Sequence, residues 1–202
     1  MEKVKLDAGD YTGTYKLIGE EISLDFINTV SWRDTEWEHE WLHDPANFIA
    51  WALAAKLVDS RTAKAMKSRP AAELMKELAQ VHATRADLYT ILTPLSFNKK
   101  PGEEAILKLD TMVHKVFRHR HIDSKKQEWV WDTPHTLAEI LAPVIWNAAH
   151  IITNVDHTRI SHCSGCNWIF CDKTKNRSRR WCDMEDCGSR DKSLRYYHRQ
   201  KD

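Results

Sequence analysis

Apolar residues recur at helical spacing over three stretches of the chain. The first stretch, "DPANFIAWALAAKLVDS" (residues 44–60), has Pro45 where proline suits the first turn of a helix. The second, "PAAELMKELAQVHATRADLYTIL" (residues 70–92), places leucine, valine and isoleucine three or four positions apart. The third, "KKPGEEAILKLDTMVHKVFRH" (residues 99–119), follows a Pro-Gly breaker. These stretches predict helices that share one apolar core.

Other stretches predict strands and one more helix. "TYKLIGEEISLDFINTV" (residues 14–30) favours one or two strands that lead into a helix near Asn28 and Thr29. "HIDSKKQEWVWD" predicts a short hairpin, with both tryptophans on one face of its second strand. "TPHTLAEILAPVIWNAAHIITN" predicts a strongly apolar helix with a kink at Pro143. We therefore predict a helix-rich α+β domain over residues 1–160.

The composition is that of a folded chain, with 42% hydrophobic and 29% charged residues among 202. No run of about 18 apolar residues occurs, which argues against a membrane-spanning helix. The first residues, "MEKVKLDAGDYTG", lack the apolar stretch of a signal peptide. We expect a cytoplasmic protein, and in that reducing compartment paired cysteines hold a metal more often than they form disulfides.

Charge and cysteine are both concentrated at the C-terminal end. Residues 1–150 contain 19 Lys and Arg against 22 Asp and Glu, whereas residues 151–202 contain 11 against 7. All five cysteines lie in the second, basic part. The sequence therefore predicts a separate C-terminal module over residues 161–202.

Four of these cysteines have the spacing of a zinc finger. Cys163 and Cys166 form a C-x2-C pair around Gly165, and Cys182 and Cys187 follow after a segment long enough for a small hairpin, "WIFCDKTKNRSRRW". We predict one structural zinc ion bound by these four thiolates, without the open coordination position of a catalytic site. Two alternatives concern the remaining residues: Cys171 is expected to be a buried, small apolar side chain, and His162 is the substitute ligand if one cysteine is excluded.

The stretch "CSGCNWIFCDKTKNRSRRWCDMEDCGSRDK" resembles the CGNR zinc finger, whose tetrapeptide here is "CGSR", Cys187 to Arg190. "LDFINTV" resembles the opening signature of the ABATE domain, and "LAPVIWNAAHIIT" is similar to the last helix of that domain. The resemblance implies a bacterial transcription regulator, with an N-terminal domain that senses stress or a small ligand. For the finger itself we expect a treble-clef-like arrangement, with Cys182 and Cys187 near the start of the terminal helix. Ser189 stands where the family has Asn; a serine could cap a helix equally well but would lose a bidentate contact.

Basic residues of the finger region predict a phosphate-binding surface. The predicted DNA-binding residues are Lys175, Arg177, Arg179, Arg180, Arg190, Lys192, Arg195 and Arg199. The last three share one face of a predicted terminal helix. The alternative is that Arg179 and Arg180 offset the thiolate charge and pair with nearby carboxylates, namely Asp172, Asp183, Glu185 and Asp186.

The polar residues that follow "LDFI" are candidates for a small-molecule pocket: Asn28, Thr29, Trp32 and Arg33. The alternative for these four is helix capping and satisfied packing. A homodimer that presents two fingers is a further hypothesis, because a single finger reads few bases. A zinc-stapled protein-interaction module is the main alternative function.

"HEWLH", from His39 to His43, matches the H-E-x-x-H pattern of zinc hydrolases, in which both histidines lie on one face of a helix. Pro45 would end such a helix directly after the motif, and the extended motif is absent. We therefore expect no enzyme, and we keep a hydrolase that uses His39, Glu40 and His43 as the lesser alternative. The expected structure is a surface loop or helix end, with Trp37 and Trp41 packed inward.

Overall fold

The structure is a computed structural model that describes residues 3–199, apart from the side chains of Leu194, Arg195, His198 and Arg199. The α-helices found within these residues are α1 Ile22–Ile27, α2 Pro45–Ala54, α3 Ser60–Lys67, α4 Ala71–Leu92, α5 Glu103–Phe117, α6 Leu137–Ile140, α7 Ala142–Asn154 and α8 Ser189–Arg199. Short strands form four antiparallel pairs: β1 Lys3–Val4 with β2 Tyr15–Lys16, β3 Val30–Ser31 with β4 His39–Glu40, β5 Arg120–Asp123 with β6 Glu128–Trp131, and β7 Ile160–His162 with β8 Ile169–Cys171. The predicted helix-rich α+β class is confirmed.

Helix α4 is the centre of the N-terminal domain, and its bounds agree with the prediction for residues 70–92. Its buried side chains include Leu74, Leu78, Val81 and Leu88, which the 3.6-residue period brings to one side. Helices α1, α2, α5, α6 and α7 all contact it. No helix in the described part of the chain is long and apolar enough to cross a membrane.

Helix α1 corrects the prediction for residues 14–30. The stretch contains the strand Tyr15–Lys16 and, at its end, Val30 of β3, and the helix between them ends at Ile27 instead of starting at Asn28. Every residue from Ser23 to Ile27 is buried, because α1 is enclosed by α4, α7 and β8. A helix buried on all sides shows no polar face, so its β-branched and aromatic residues were misread as a strand.

Two predicted helices are interrupted in the structure. The helix expected over residues 44–60 ends at Ala54, and Lys56 then adopts a left-handed φ of 58° before α3 begins. The helix expected to kink at Pro143 is instead two helices, α6 and α7. Pro143 lies in the first turn of α7, where its missing N–H removes no helical hydrogen bond.

Of the two predicted hairpins, the one near residues 121–132 is confirmed and the one between the two cysteine pairs is not. Strands β5 and β6 pair with His121 opposite Val130, as the sequence indicates. In the finger, β8 pairs with β7, so the hairpin encloses the first cysteine pair; the prediction of a hairpin between the two pairs was wrong. The first pair therefore lies in the turn of a hairpin, and the second pair precedes a helix, which is a treble-clef-like order of elements.

Candidate metal centre and adjoining cleft

The four predicted cysteine ligands converge. The sulfur atoms of Cys163, Cys166, Cys182 and Cys187 all lie within 4.8 Å of one another, and all four residues are buried. The Sγ of Cys182 is 3.4 Å from that of Cys166 and 3.6 Å from that of Cys187. Among the described residues, no other group of three or more potential ligands is close enough to hold a metal ion.

A tight turn presents the first cysteine pair. The N–H of Gly165 donates to Cys163 Sγ at 3.3 Å, which is the amide-to-sulfur contact of a zinc knuckle. A Cβ on Gly165 would lie 3.0 Å from Cys187 Cβ and 3.3 Å from Cys187 Sγ. A larger residue here would therefore crowd Cys187, so the close approach of the second pair favours glycine. Asn167 then adopts a left-handed φ of 64° and turns the chain into β8.

A short π-helical turn, Met184–Gly188, contains Cys187, and Cys182 lies two residues before its start. The Asp183 side chain caps this turn by accepting from the N–H of Glu185 at 2.7 Å. Ser189 donates its hydroxyl to the carbonyl oxygen of Met184 at 3.2 Å, so the serine at the family's Asn position makes a local hydrogen bond. Arg190, one residue later, donates to Cys187 Sγ at 3.1 Å.

The thiols cannot all ionise by themselves. Hydrogen bonding to the Cys163 sulfur, together with Cys187 and burial, raises the pKa of Cys166 and of Cys182. The same neighbouring thiols lower the pKa of Cys163. Four sulfurs at this separation need a cation among them before all become thiolates. The donor set thus fits a divalent metal that prefers sulfur ligands.

The two alternative ligands lie outside this cluster. Cys171 is buried in β8, as expected, and burial raises the pKa of its thiol. Its N–H donates to the carbonyl oxygen of Gly19 at 2.9 Å. His162 packs against Phe97, with ring centroids 4.6 Å apart and planes tilted by 32°. Neither residue is positioned to replace one of the four cysteines.

Buried hydrogen bonds attach the finger to the N-terminal domain. Asn28 donates its Nδ2 to the carbonyl oxygen of Ile169 at 2.8 Å and accepts from the N–H of Ile169 at 2.9 Å. Trp168 donates its indole N–H to the carbonyl oxygen of Val30 at 3.1 Å. Strand β8 is therefore held from the side by residues that follow α1.

Lys16 completes this junction, and sequence reasoning did not identify it. Its buried ammonium group lies 2.6 Å from Asp183, 2.8 Å from Asp186 and 3.8 Å from Glu185. Burial works against the charged amine, but the bonds to Asp183 and Asp186 outweigh it and raise the pKa of Lys16. Three of the four carboxylates that were expected to pair with Arg179 and Arg180 thus lie around a lysine from β2, whereas Asp172 accepts from the N–H of Arg179 at 2.9 Å. A lone lysine inside an apolar strand was the available signal.

A cleft of about 1200 Å³ lies between the finger and the N-terminal domain. Cys166, Cys182 and Cys187 border one side of it, and aromatic side chains from the N-terminal domain border the other. Of the four predicted pocket residues, only Trp32 is among the residues that line this cleft.

Comparison with known families agrees with this architecture. Residues 20–155 match the family model of the ABATE domain, described as "Putative stress-induced transcription regulator". The chain belongs to the ABATE family. Residues 159–200 match the CGNR zinc finger, so the resemblance seen in the sequence is confirmed at both ends. No curated protein matches the chain.

Three predicted pocket residues of the ABATE domain contact other residues inside the folded protein. Asn28 binds Ile169, as described above. Thr29 donates to the carbonyl oxygen of Phe26 at 2.7 Å and accepts from Arg85 at 2.8 Å. Arg33 lies over the ring of Tyr89, 4.1 Å from its centroid. Asn28 and Thr29 are hydrogen-bonded as the packing alternative expects, whereas Arg33 Nη2 is buried without a hydrogen-bond partner among the described residues.

The H-E-x-x-H motif of the ABATE domain does not form a helix. His39 and Glu40 form β4, and Glu40 makes an ion pair with the buried Arg85. Burial would raise the pKa of Glu40, but Arg85 overcomes that effect and lowers it. A carboxylate neutralised by arginine is poorly suited to activate a metal-bound water. Trp41 is buried as predicted, whereas the prediction for Trp37 was wrong, because 64% of its surface is exposed.

Arg179 of the CGNR finger is committed to internal contacts. Its guanidinium donates to the carbonyl oxygens of Trp181 at 3.1 Å and Ile18 at 3.2 Å, and also to that of Cys182. It lies 4.4 Å from the ring centroid of Phe170. This arginine therefore connects the metal loop to the ABATE domain.

The other basic residues of the finger differ in their surroundings. Arg177 pairs with Asp156 at 2.8 Å. Lys175, Arg180 and Lys192 are exposed, and none of them forms an ion pair within the described residues. Helix α8 extends through Arg199, but the side chains of Arg195 and Arg199 lie outside the described residues.

Proposed function

We propose that this protein is a cytoplasmic transcription regulator that binds DNA through its CGNR finger, which one zinc ion holds in shape. The observation that carries the proposal is the exposure of Lys175, Arg180 and Lys192, none of which forms an ion pair within the described residues. Cations without ion-pair partners are available for phosphate groups, and phosphate contacts supply most of the affinity of such modules.

Zinc is the metal that the four sulfurs favour. Zinc–sulfur bonds of about 2.3 Å in a tetrahedron place the sulfurs about 3.8 Å apart. The distances of 3.4 Å and 3.6 Å from Cys182 are close to this spacing. A site made of four cysteines has no open position, so its role is structural. The metal would hold the β7–β8 turn against the start of α8.

Selection of genomic DNA fragments on the zinc-loaded protein tests the proposal. The informative variant is Arg180→Ala/Lys192→Ala, because both side chains are exposed and the substitution keeps the Arg180 carbonyl oxygen that accepts from the N–H of Ser164. Lys64→Ala/Lys67→Ala on α3 is the matched control, since it removes the same charge from an exposed surface of the ABATE domain.

We expect the wild type and the control to enrich a shared sequence that the Arg180→Ala/Lys192→Ala variant loses. The slope of log affinity against log salt should also decrease by about 2 in that variant, because about one counterion is released per phosphate contact. Equal enrichment by both variants would place the reading surface elsewhere. No enrichment by the wild type would favour the alternative of a protein-interaction module.

A homodimer would supply two fingers and therefore a longer recognition site. Sedimentation velocity of the zinc-loaded protein, with and without an enriched fragment, tests this part of the proposal. A dimer on the fragment is the expected result. A single monomer per fragment at all concentrations would contradict it while leaving DNA binding intact.

A further inference from the structure

One wall of the cleft beside the metal site is aromatic. The rings of Tyr11 and His39 are stacked with centroids 4.2 Å apart and planes 12° apart. Trp32 and Trp37 form an edge-to-face pair with centroids 6.3 Å apart. Trp37 leaves 64% of its surface exposed beside this wall. A large aromatic side chain exposed at the edge of a cleft favours contact with a ligand.

The loop that carries Trp32 is held in a costly conformation. Trp32 has a left-handed φ of 54°, which bulky residues rarely adopt. Two contacts fix it there: its indole N–H donates to the Tyr11 hydroxyl at 2.9 Å, and its carbonyl oxygen accepts from the Thr35 hydroxyl at 2.6 Å. Strained backbone of this kind is concentrated at binding sites.

The charges that line the cleft are mainly negative. Among the described residues, three that line the cleft are cationic: Lys3, Lys16 and Arg190. Six are carboxylates: Asp10, Glu38, Asp183, Glu185, Asp186 and Asp191. Lys16 is already bound by Asp183 and Asp186. This excess of carboxylates repels DNA and other anions and attracts cations.

Arg190 demonstrates what the aromatic wall can hold. Its guanidinium carbon lies 4.5 Å from the ring centroid of Trp32, which is a cation–π contact. We infer that the cleft binds an organic cation with an aromatic or alkyl body, which replaces Arg190 on the face of Trp32. Aromatic rings next to carboxylates are the surroundings in which proteins hold quaternary ammonium groups.

Arg190 lies in the first turn of α8, so its displacement would reach the proposed DNA-binding surface. This regulatory consequence rests on the proposed function, whereas binding of the cation does not. An experiment can therefore contradict the regulatory consequence without contradicting binding of the cation, and the reverse.

The test uses the full-length, zinc-loaded protein without DNA. Tetraphenylphosphonium and tetraphenylborate have nearly the same size and shape but opposite charge, and their binding is measured by equilibrium dialysis. We expect the cation to bind at least about tenfold more tightly than the anion, because the cleft attracts positive charge. Equal affinity for the two ions, or tighter binding of the anion, would overturn the inference.

Two variants locate the binding site. Trp37→Ala should weaken binding of the phosphonium about fivefold or more, because an aromatic contact with a cation is lost. Trp129→Ala is the matched control, since this tryptophan of the β5–β6 hairpin is similarly exposed but lies outside the cleft. Equal losses in the two variants, or no loss in Trp37→Ala, would contradict the assignment to this cleft.

Arg190→Gln tests the exchange with the resident cation. This substitution removes the charge that competes for Trp32, so the affinity for the phosphonium should rise several-fold. An unchanged or lower affinity would contradict displacement of Arg190. Fragment selection in the presence of the phosphonium then reports on regulation: an enriched sequence that does not respond would reject the regulatory consequence alone.

Discussion

The ABATE domain and the CGNR finger are stabilised in different ways. The domain buries large apolar side chains around α4, among them Phe26, Trp51 and Leu88. The finger has a small apolar core, and its loops are held by four thiols and by polar contacts with the domain. Several buried polar residues of the domain, including Lys16 and Asn28, face the finger. Some buried polar residues of the ABATE domain therefore have their hydrogen-bond partners in the finger.

Metal removal should show the largest difference in stability between the finger and the ABATE domain. Structural zinc contributes roughly 10–16 kcal/mol of apparent binding free energy in small fingers, so Cys182→Ser or a strong chelator should unfold the finger. Amide hydrogen exchange should then accelerate in β7 and β8 but remain slow in α4. Metal analysis of the untreated protein should find about one zinc ion per chain.

Cys171→Ser is the control for the effect of metal removal. It makes the same substitution at a buried cysteine outside the cluster, so the variant should keep its zinc. A finger that retains slow exchange after measured loss of the metal would show that the thiols do not stabilise it through zinc.

Truncation in the core should destabilise the ABATE domain next most strongly. Leu78→Ala removes a buried side chain of α4 and should lower the free energy of unfolding by about 2–5 kcal/mol, measured by urea denaturation. Met75→Ala lies on the same helix, but about half of its side chain is exposed, so it should have little effect. Comparable losses in both variants would contradict a core centred on this face of α4.

The junction should respond to Asn28→Ala. Loss of the amide leaves the N–H and the carbonyl group of Ile169 buried without a partner, at a cost of about 1–3 kcal/mol for each group. We expect faster exchange in β8 with little change in α4. Asn176→Ala, in an exposed loop of the finger, is the control. Equal exchange in the two variants would show that the junction does not depend on Asn28.

A pH-dependent effect should come from Asp25. Burial raises its pKa to about 7, above the value of about 4 in an unfolded chain. The folded state therefore binds this proton more tightly, and the stability that it contributes is lost as the pH rises from about 4 to about 7, at about 1.4 kcal/mol per unit of pKa shift.

Asp25→Asn removes this titration and keeps an oxygen to accept from the N–H of Gly19, a bond that is 2.7 Å long in the wild type. The stability of the variant relative to the wild type should therefore rise between pH 5 and pH 8, measured by urea denaturation. A difference that stays constant with pH would exclude Asp25 as the titrating group.

Sequence patterns predicted the elements whose signal is local. The bounds of α4 follow from its apolar period between two prolines, and the metal ligands follow from their spacing, with Gly165 as the marker of the turn. Helix α1 was missed because burial on every side removes the polar face that identifies a helix. The pairing of β7 with β8 was missed because it depends on contacts between residues on opposite sides of the first cysteine pair, and no local pattern indicates such contacts.

The sequence by itself determined the α+β class, the family and the four cysteines that can hold a metal, since each depends on residue types at fixed spacings. Only the tertiary structure decided how the charged residues are used. In the folded protein Lys16 lies among three acidic residues, Arg179 donates to the carbonyl oxygen of Ile18 at the junction, and Arg180 is exposed. The reason is physical: the partner of a charge depends on which distant segments fold against it, and one-dimensional spacing does not contain that information.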